Sequence, residues 1–224
     1  MPYQYLHIGK TGGTLIRAVL ESLPEPHRSQ FIFHGHRTRL VQAVRTHPEM
    51  PVFFSVRKPE RLFVSAFNSR LREGQPTYSI PRRPEEEPVF ARFRSPNDLA
   101  EALSAQDLDI RQSAETSMAS VRHIHRGLAF VLDGVEVLEQ HKASIAFILL
   151  QEQLEEDLLA FLERVGVPAD LAQVSPAERI HTSMPGDETE LSELGLANLR
   201  KWYRAHQEIY DWCVQQHDRI LEAR

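Results

Sequence analysis

The sequence predicts an α/β protein in which helices cover both faces of a central parallel sheet, a three-layer α/β/α arrangement. Short β-prone segments alternate with helical segments, and the spacing is long enough for crossovers between parallel strands. Val52–Val56 is largely apolar, which is typical of a parallel strand buried on both faces. A chain of 224 residues can bury one full core, so we expect a single domain over residues 1–224.

The individual elements are predicted from hydrophobic periodicity and from turn residues. Strands are expected at residues 3–8, 31–34, 52–56 and 144–150. Helices are expected at residues 15–23, 37–45, 59–72, 97–120, 135–141 and 154–165. A long C-terminal helix is expected within residues 190–222, with Ser192 as its N-cap. The proline-rich residues 74–96 predict a loop or flap, and residues 175–188 predict a second polar loop.

Composition and charge exclude several classes of protein. The chain has one cysteine, Cys213, so a disulfide framework and a multi-cysteine metal site are excluded. It has no apolar run of about 18 residues and no visible signal peptide, so we expect a soluble, cytoplasmic protein without a membrane span. The net charge of −5 argues against general nucleic-acid binding. Residues 1–83, however, carry 13 Lys and Arg against 5 Asp and Glu, which favours an anionic ligand there.

The segment that most strongly predicts such a ligand site is Gly9-Lys10-Thr11-Gly12-Gly13-Thr14, between the first strand and the first helix. Glycines let the backbone fold around an oxyanion, and the N–H groups and dipole of the following helix attract negative charge. Lys10 can add a mobile positive charge. In a Walker A loop the lysine follows the glycines, whereas here it precedes them. The sequence therefore predicts a P-loop-like, but not a Walker A, phosphate-binding loop.

Two further segments follow the next two strands. Arg57 follows the third strand, Pro59 begins a helix, and Arg61 and Ser65 lie one turn apart on that helix, a pattern that suits a second phosphate site. Phe33-His34-Gly35-His36 ends the second strand and supplies imidazoles suited to proton transfer near neutral pH. Because ligands of parallel sheets bind at the carboxyl ends of strands, we expect all three segments at one edge of the sheet.

The first and second motifs together resemble the nucleotide-binding signature of sulfotransferases that use 3′-phosphoadenosine 5′-phosphosulfate (PAPS). The resemblance is to the carbohydrate sulfotransferase branch that includes the heparan sulfate 2-O-sulfotransferases. It rests on Lys10-Thr11-Gly12-Gly13-Thr14 and on Arg57, Pro59, Arg61, Ser65 and Phe67. Gly9 and Leu15 depart from the family pattern, which has Pro and Ser at these positions. A soluble member of this family is therefore expected.

The resemblance implies a cofactor and a set of roles. PAPS would be the co-substrate and the 3′,5′-diphosphate (PAP) the product, with no metal. Residues 10–15, that is Lys10, Thr11, Gly12, Gly13, Thr14 and Leu15, would hold the 5′-phosphosulfate. Arg57, Arg61 and Ser65 would hold the 3′-phosphate, and His181 and Ser183 would lie in a late loop over the nucleotide. His36 is the candidate base, His34 a supporting residue, and Lys10 the group that stabilises the departing oxygen.

Two alternatives and several properties stay open at this stage. A nucleotide or small-molecule kinase shares the strand–loop–helix opening and would require ATP with Mg²⁺. A non-catalytic relative would bind the diphosphate without transferring a group. The acceptor hydroxyl could belong to a glycan, a lipid or a small metabolite. The sequence does not indicate the oligomeric state.

Overall fold

The structure is a computed structural model that describes residues 1–76, 79–168, 184 and 186–222. The described chain divides into two compact units, and the single domain expected over residues 1–224 stays a prediction. The described residues of the first unit are 1–57, 128–168 and 208–222. Those of the second unit are 58–76, 79–127, 184 and 186–207.

The first unit is built on a parallel β-sheet. Within the described residues the sheet has four strands: β1 (Tyr3–Leu6), β2 (Phe31–His34), β3 (Val52–Val56) and β4 (Ile145–Leu150). Their order is β2-β1-β3-β4, and every pair of neighbours is parallel. In register, Leu6 of β1 lies between His34 of β2 and Phe54 of β3. The predicted α/β fold with a parallel sheet is confirmed.

The helices connect the strands and make up most of the remaining chain. In chain order they are α1 (Gly13–Ser22), α2 (Leu40–Thr46), α3 (Pro59–Leu71), α4 (Glu87–Arg92), α5 (Pro96–Ala102), α6 (Leu108–Ser120), α7 (Gly127–Leu132), α8 (Val135–Gln140), α9 (Leu154–Arg164), α10 (Glu193–Trp202) and α11 (Arg204–Glu222). In the described ranges, none of them combines the length and the apolar character that a membrane crossing requires.

Helices cover both faces of the sheet. On one face, aromatic side chains of the strands pack against α1 and α9, and the rings of Phe53 and Phe161 are 4.3 Å apart between centroids. On the other face, α2 contacts β1 and β3 and buries Leu40 and Ala43 completely. Every residue of the central strand β3 is buried, which explains why β3 is apolar throughout apart from Ser55.

The second unit is helical and has its own apolar core, which includes Phe63, Phe67 and Phe90. A buried ion pair joins Arg70 of α3 to Glu86, with the Arg70 Nη2 atom 2.5 Å from the Glu86 Oε2 atom. Both side chains are essentially inaccessible to solvent. Burial of a charged pair requires that hydrogen bonds satisfy the remaining polar atoms, and Arg70 also donates to two backbone carbonyls.

Three predicted elements differ in detail from the structure. The Pro-rich segment 74–96 contains α4, which carries Pro88 at its start, where a missing N–H costs nothing. The helix predicted over residues 97–120 is divided into α5 and α6, each with its own side-chain cap, Ser95 and Asp107. The predicted C-terminal helix does begin after the N-cap Ser192, but it is divided at Tyr203 into α10 and α11.

Candidate functional site

The carboxyl edge of the sheet between β1 and β3 is the expected position of a ligand. The chain passes from β1 to β2 on one side and then crosses to β3 on the other side of β1. The strand order therefore reverses between β1 and β3, and in parallel sheets the crevice outside the carboxyl ends of the strands at such a point is where ligands bind. The Gly9–Gly13 loop follows β1 at this crevice and leads into α1, and Arg57 follows β3.

Two glycines allow the loop to turn into α1. Gly12 is the N-cap of α1 and has a left-handed backbone with φ of 91°. A Cβ atom at Gly12 would overlap the Leu154 side chain, and one at Gly13 would overlap the His7 ring. Lys10 also has a positive φ, 66°. The two glycines thus allow the loop backbone to turn and to pass close to the side chains of Leu154 and His7.

The Thr11 hydroxyl is engaged inside the loop. Its Oγ1 atom donates to the Ile8 carbonyl at 2.9 Å, and the Ser55 hydroxyl lies 2.7 Å from the same atom. Because the Thr11 proton goes to Ile8, Ser55 is the donor in the second bond. Thr11 is fully buried, so the side chain predicted to contact a cofactor instead ties the loop to β3.

The N-terminus of α1 presents backbone N–H groups without a competing acid. It has no acidic residue in its first turn and no side-chain cap. Thr14 is exposed at this end, whereas the Leu15 side chain is buried in the core and its N–H donates to the Gly12 carbonyl at 3.1 Å. An anion can bind at such a terminus because the helix dipole is positive there and the first N–H groups of a helix have no carbonyl of an earlier turn to bond to.

Arg57 lies beside the loop. Its Nη1 atom donates to the Lys10 carbonyl at 3.4 Å, and the side chain is half-buried. The Arg57 guanidinium therefore lies against the backbone of Lys10, in the loop that leads into α1. Within the second unit, α3 carries Arg61 exposed and Ser65 half-buried, one turn apart.

The residues of the predicted late loop, His181 and Ser183, lie outside the described part of the chain. Their predicted contacts with the nucleotide stay predictions.

A histidine that the sequence analysis did not select lies at the loop. The rings of His7 and His36 are 3.9 Å apart between centroids, and His7 also stacks on Tyr5. Burial, together with the positive charge of His36 and then of Arg17, lowers the pKa of His7 to about 3. His7 is therefore neutral at pH 7 and can accept a hydrogen bond. Its place directly after β1, three residues before Lys10, was the signal that could have identified it.

His34 lies on the other face of the sheet from the His7–His36 pair. Its Nε2 atom is 2.8 Å from the Oε1 atom of Gln4, a fully buried residue. The Gln4 amide nitrogen donates to the carbonyls of His47 and Met50, so its oxygen faces His34 and accepts from the Nε2–H group. Burial and the charge of His47 lower the pKa of His34. Residues two apart on a strand share a face, so alternation does not explain this separation; β2 ends at His34, and the chain beyond it brings His36 to the His7 ring.

Comparison of the chain with models of protein families, with curated proteins and with solved structures gave no match. The chemistry of the site is therefore inferred from its own residues. These residues combine a glycine loop, a helix N-terminus, two cations and two histidine rings in contact, of which one is neutral at pH 7. Such a set can hold a phosphate-like anion and can accept a proton beside it.

Proposed function

We propose that the protein is a sulfotransferase that moves a sulfonate group from PAPS to an acceptor hydroxyl. One observation carries the proposal: the Gly9–Gly13 loop opens α1 at the crevice of the sheet, with Arg57 bonded to the Lys10 carbonyl. Several anionic groups of one ligand need several fixed donors, and this place provides backbone N–H groups and two side-chain cations. The motif resemblance to PAPS-dependent sulfotransferases supports the same ligand.

The binding roles follow from the position of each group. The N–H groups at the start of α1 would bind the 5′-phosphosulfate, and the Lys10 ammonium would stabilise the oxygen that leaves sulfur. Arg57, next to the loop, would bind the nucleotide end that carries the 3′-phosphate. Arg61, Ser65, His181 and Ser183 are assigned to the nucleotide by the motif resemblance alone.

The transfer exchanges one S–O bond for another. The acceptor oxygen forms a bond to sulfur while the bond from sulfur to the 5′-phosphate oxygen breaks, and PAP leaves. The acceptor proton passes to a ring nitrogen of His36, which packs against the neutral His7. The step is proposed without a metal ion because Lys10 and Arg57 supply positive charge at the phosphates. The acceptor is a hydroxyl of a glycan, a lipid or a small metabolite.

A panel of nucleotides tests this proposal. We expect 3′,5′-adenosine diphosphate to bind in the presence of a chelator, and Lys10→Ala to bind it about ten- to a hundredfold more weakly. Lys142→Ala, which removes an exposed lysine of the same unit, is the control and should bind like the wild type. Isothermal titration calorimetry measures both. Binding of ATP only with Mg²⁺, and no binding of the diphosphate, would replace the proposal with a kinase.

Turnover is a separate measurement. With ³⁵S-labelled PAPS and a panel of glycans, lipids and small hydroxyl compounds, we expect label to appear on an acceptor, and His36→Ala to abolish that transfer. Binding of the diphosphate without transfer to any of the acceptors would instead indicate a non-catalytic relative.

A further inference from the structure

A buried polar network lies where β4 ends and α9 begins. The Leu150 N–H group donates to the Asp157 Oδ2 atom at 2.7 Å, and the other carboxylate oxygen accepts from His217 Nε2 at 2.9 Å and from Gln153 Nε2 at 2.8 Å. Asp157 and His217 are each about 3% exposed or less. The network therefore joins three elements of the first unit: β4, α9 and α11.

This network holds in place the residues that pack against Gly12 in the Gly9–Gly13 loop. The turn that it fixes, Gln151–Gln153, leads directly into Leu154, the first residue of α9. Leu154 is the side chain that a Cβ atom at Gly12 would overlap, and Gln151 is the next neighbour of the same position. A shift of the first turn of α9 would therefore reach the loop through direct packing.

We propose that His217 is a positioning residue for the Gly9–Gly13 loop, holding the first turn of α9 in place through Asp157. Both ring nitrogens of His217 face carboxylates, because Nδ1 lies 3.1 Å from Asp218 Oδ1 and Nε2 contacts Asp157. The other groups facing the ring are the Gln153 amide and the Phe147 ring of β4. Two carboxylate partners favour the imidazolium, in which both nitrogens donate.

Because the support depends on the positive charge of His217, it depends on pH. The hydrogen bond and charge of Asp157 raise the pKa of His217, against the opposing effect of burial, and Asp218 acts in the same sense. The support is therefore complete below about pH 6.5 and is lost as the pH rises through the raised pKa of the folded protein. The inference concerns the loop itself and holds whatever ligand the loop binds.

The test is a pH titration followed by NMR on the ligand-free full chain. We expect the backbone amide signals of Gly12 and Leu154 to shift with the same midpoint as the His217 imidazole, above pH 6.5. The shift should vanish in His217→Gln, which keeps an N–H donor but loses the charge. It should persist in His36→Gln, which removes the imidazole that packs against His7 at the loop, and in the control His27→Gln.

Two results would overturn the inference. One is that the Gly12 and Leu154 signals stay flat while His217 titrates, and the other is that their shift survives in His217→Gln. If that variant fails to fold, Asp157→Asn decides, because it removes the carboxylate at similar size. We then expect the midpoints of His217 and of both amides to fall together. A fall in the His217 midpoint alone would contradict the proposed support of the loop.

Discussion

Gly12 has two independent requirements for glycine, and this makes it the most sensitive position of the loop. Its φ of 91° is unfavourable for any residue with a side chain, and a Cβ atom there would overlap Leu154. Gly35, which separates His34 from His36, has open space around it and no positive φ. The chain thus contains a matched pair of glycines, one constrained and one not.

We predict that Gly12→Ala lowers the free energy of unfolding by about 1–3 kcal/mol, because a left-handed alanine is strained and the packing must adjust. Gly35→Ala should change it by less than about 0.5 kcal/mol. Urea denaturation of both variants measures the difference. Equal stabilities of the two variants would show that Gly12 is not constrained in this way.

His7 makes the free energy of unfolding depend on pH below about pH 6.5. Its folded pKa of about 3 lies below the unfolded value of about 6.5, so unfolding takes up a proton when the pH is between the two. Stability from this residue is complete above pH 6.5 and falls as the pH falls. Between pH 7 and pH 5 the loss should be on the order of 1–2 kcal/mol.

The variant His7→Gln should lose less stability than the wild type over that interval, because glutamine has no proton to take up. Urea denaturation at pH 7 and pH 5 provides the comparison. If the wild type and the variant lose the same amount, His7 is not held neutral in the folded protein.

The loop and β3 are joined by the buried contact of Thr11 with Ser55. We predict that Thr11→Val lowers the free energy of unfolding by about 1–3 kcal/mol, because the Ile8 carbonyl loses its hydroxyl donor inside the protein. Thr46→Val removes an exposed hydroxyl of α2 that donates to a backbone carbonyl and serves as control.

Thermal or urea unfolding of the two threonine variants measures this difference. The prediction fails if Thr11→Val is as stable as Thr46→Val. The Ser55→Ala variant should share part of the loss, since it removes the other hydroxyl of the same contact.

The strands could be predicted from the sequence because their burial leaves a local pattern. Val52–Val56 is apolar, and the turn residues around it limit its length. The division at Tyr203 could not be predicted in the same way. Its hydroxyl donates to the Ile124 carbonyl, a contact between residues 79 positions apart, and the local sequence there is helical on both sides.

The sequence could predict those residues of the site that come directly after the end of a strand. Gly12, Gly13 and Arg57 were selected because strand ends meet at one edge, and the structure brings them together. The burial of the Thr11 hydroxyl and the contact between the His7 and His36 rings depend on residues that are far apart in the sequence. Such contacts leave no spacing signal in the sequence.

At the scale of the whole molecule, each unit combines an apolar core with a buried pair of ionisable side chains. In the first unit the pair is Asp157 with His217, and in the second it is Arg70 with Glu86. Glu86 also accepts from the backbone N–H groups of Arg83 and Arg122, and these bonds together with Arg70 lower its pKa against the effect of burial. Removing one partner would leave the other charge buried.

We predict that Arg70→Met lowers the free energy of unfolding by about 3–5 kcal/mol, because the Glu86 carboxylate stays buried without its partner. Arg94→Met, at an exposed position of the same unit, should cost less than about 0.5 kcal/mol. Chemical denaturation followed by circular dichroism measures both. A loss for Arg70→Met no larger than that for Arg94→Met would contradict the prediction.

The measurement that bears most directly on the proposed sulfotransferase is the affinity for 3′,5′-adenosine diphosphate, measured by calorimetry without metal. The wild type should bind, and Arg57→Ala should bind about ten- to a hundredfold more weakly, since a charged contact to phosphate contributes roughly 1.5–3 kcal/mol. Arg45→Ala, at an exposed position of α2, should bind like the wild type. Absence of diphosphate binding to the wild type, or equal affinity of Arg57→Ala, would contradict the proposed role of this site.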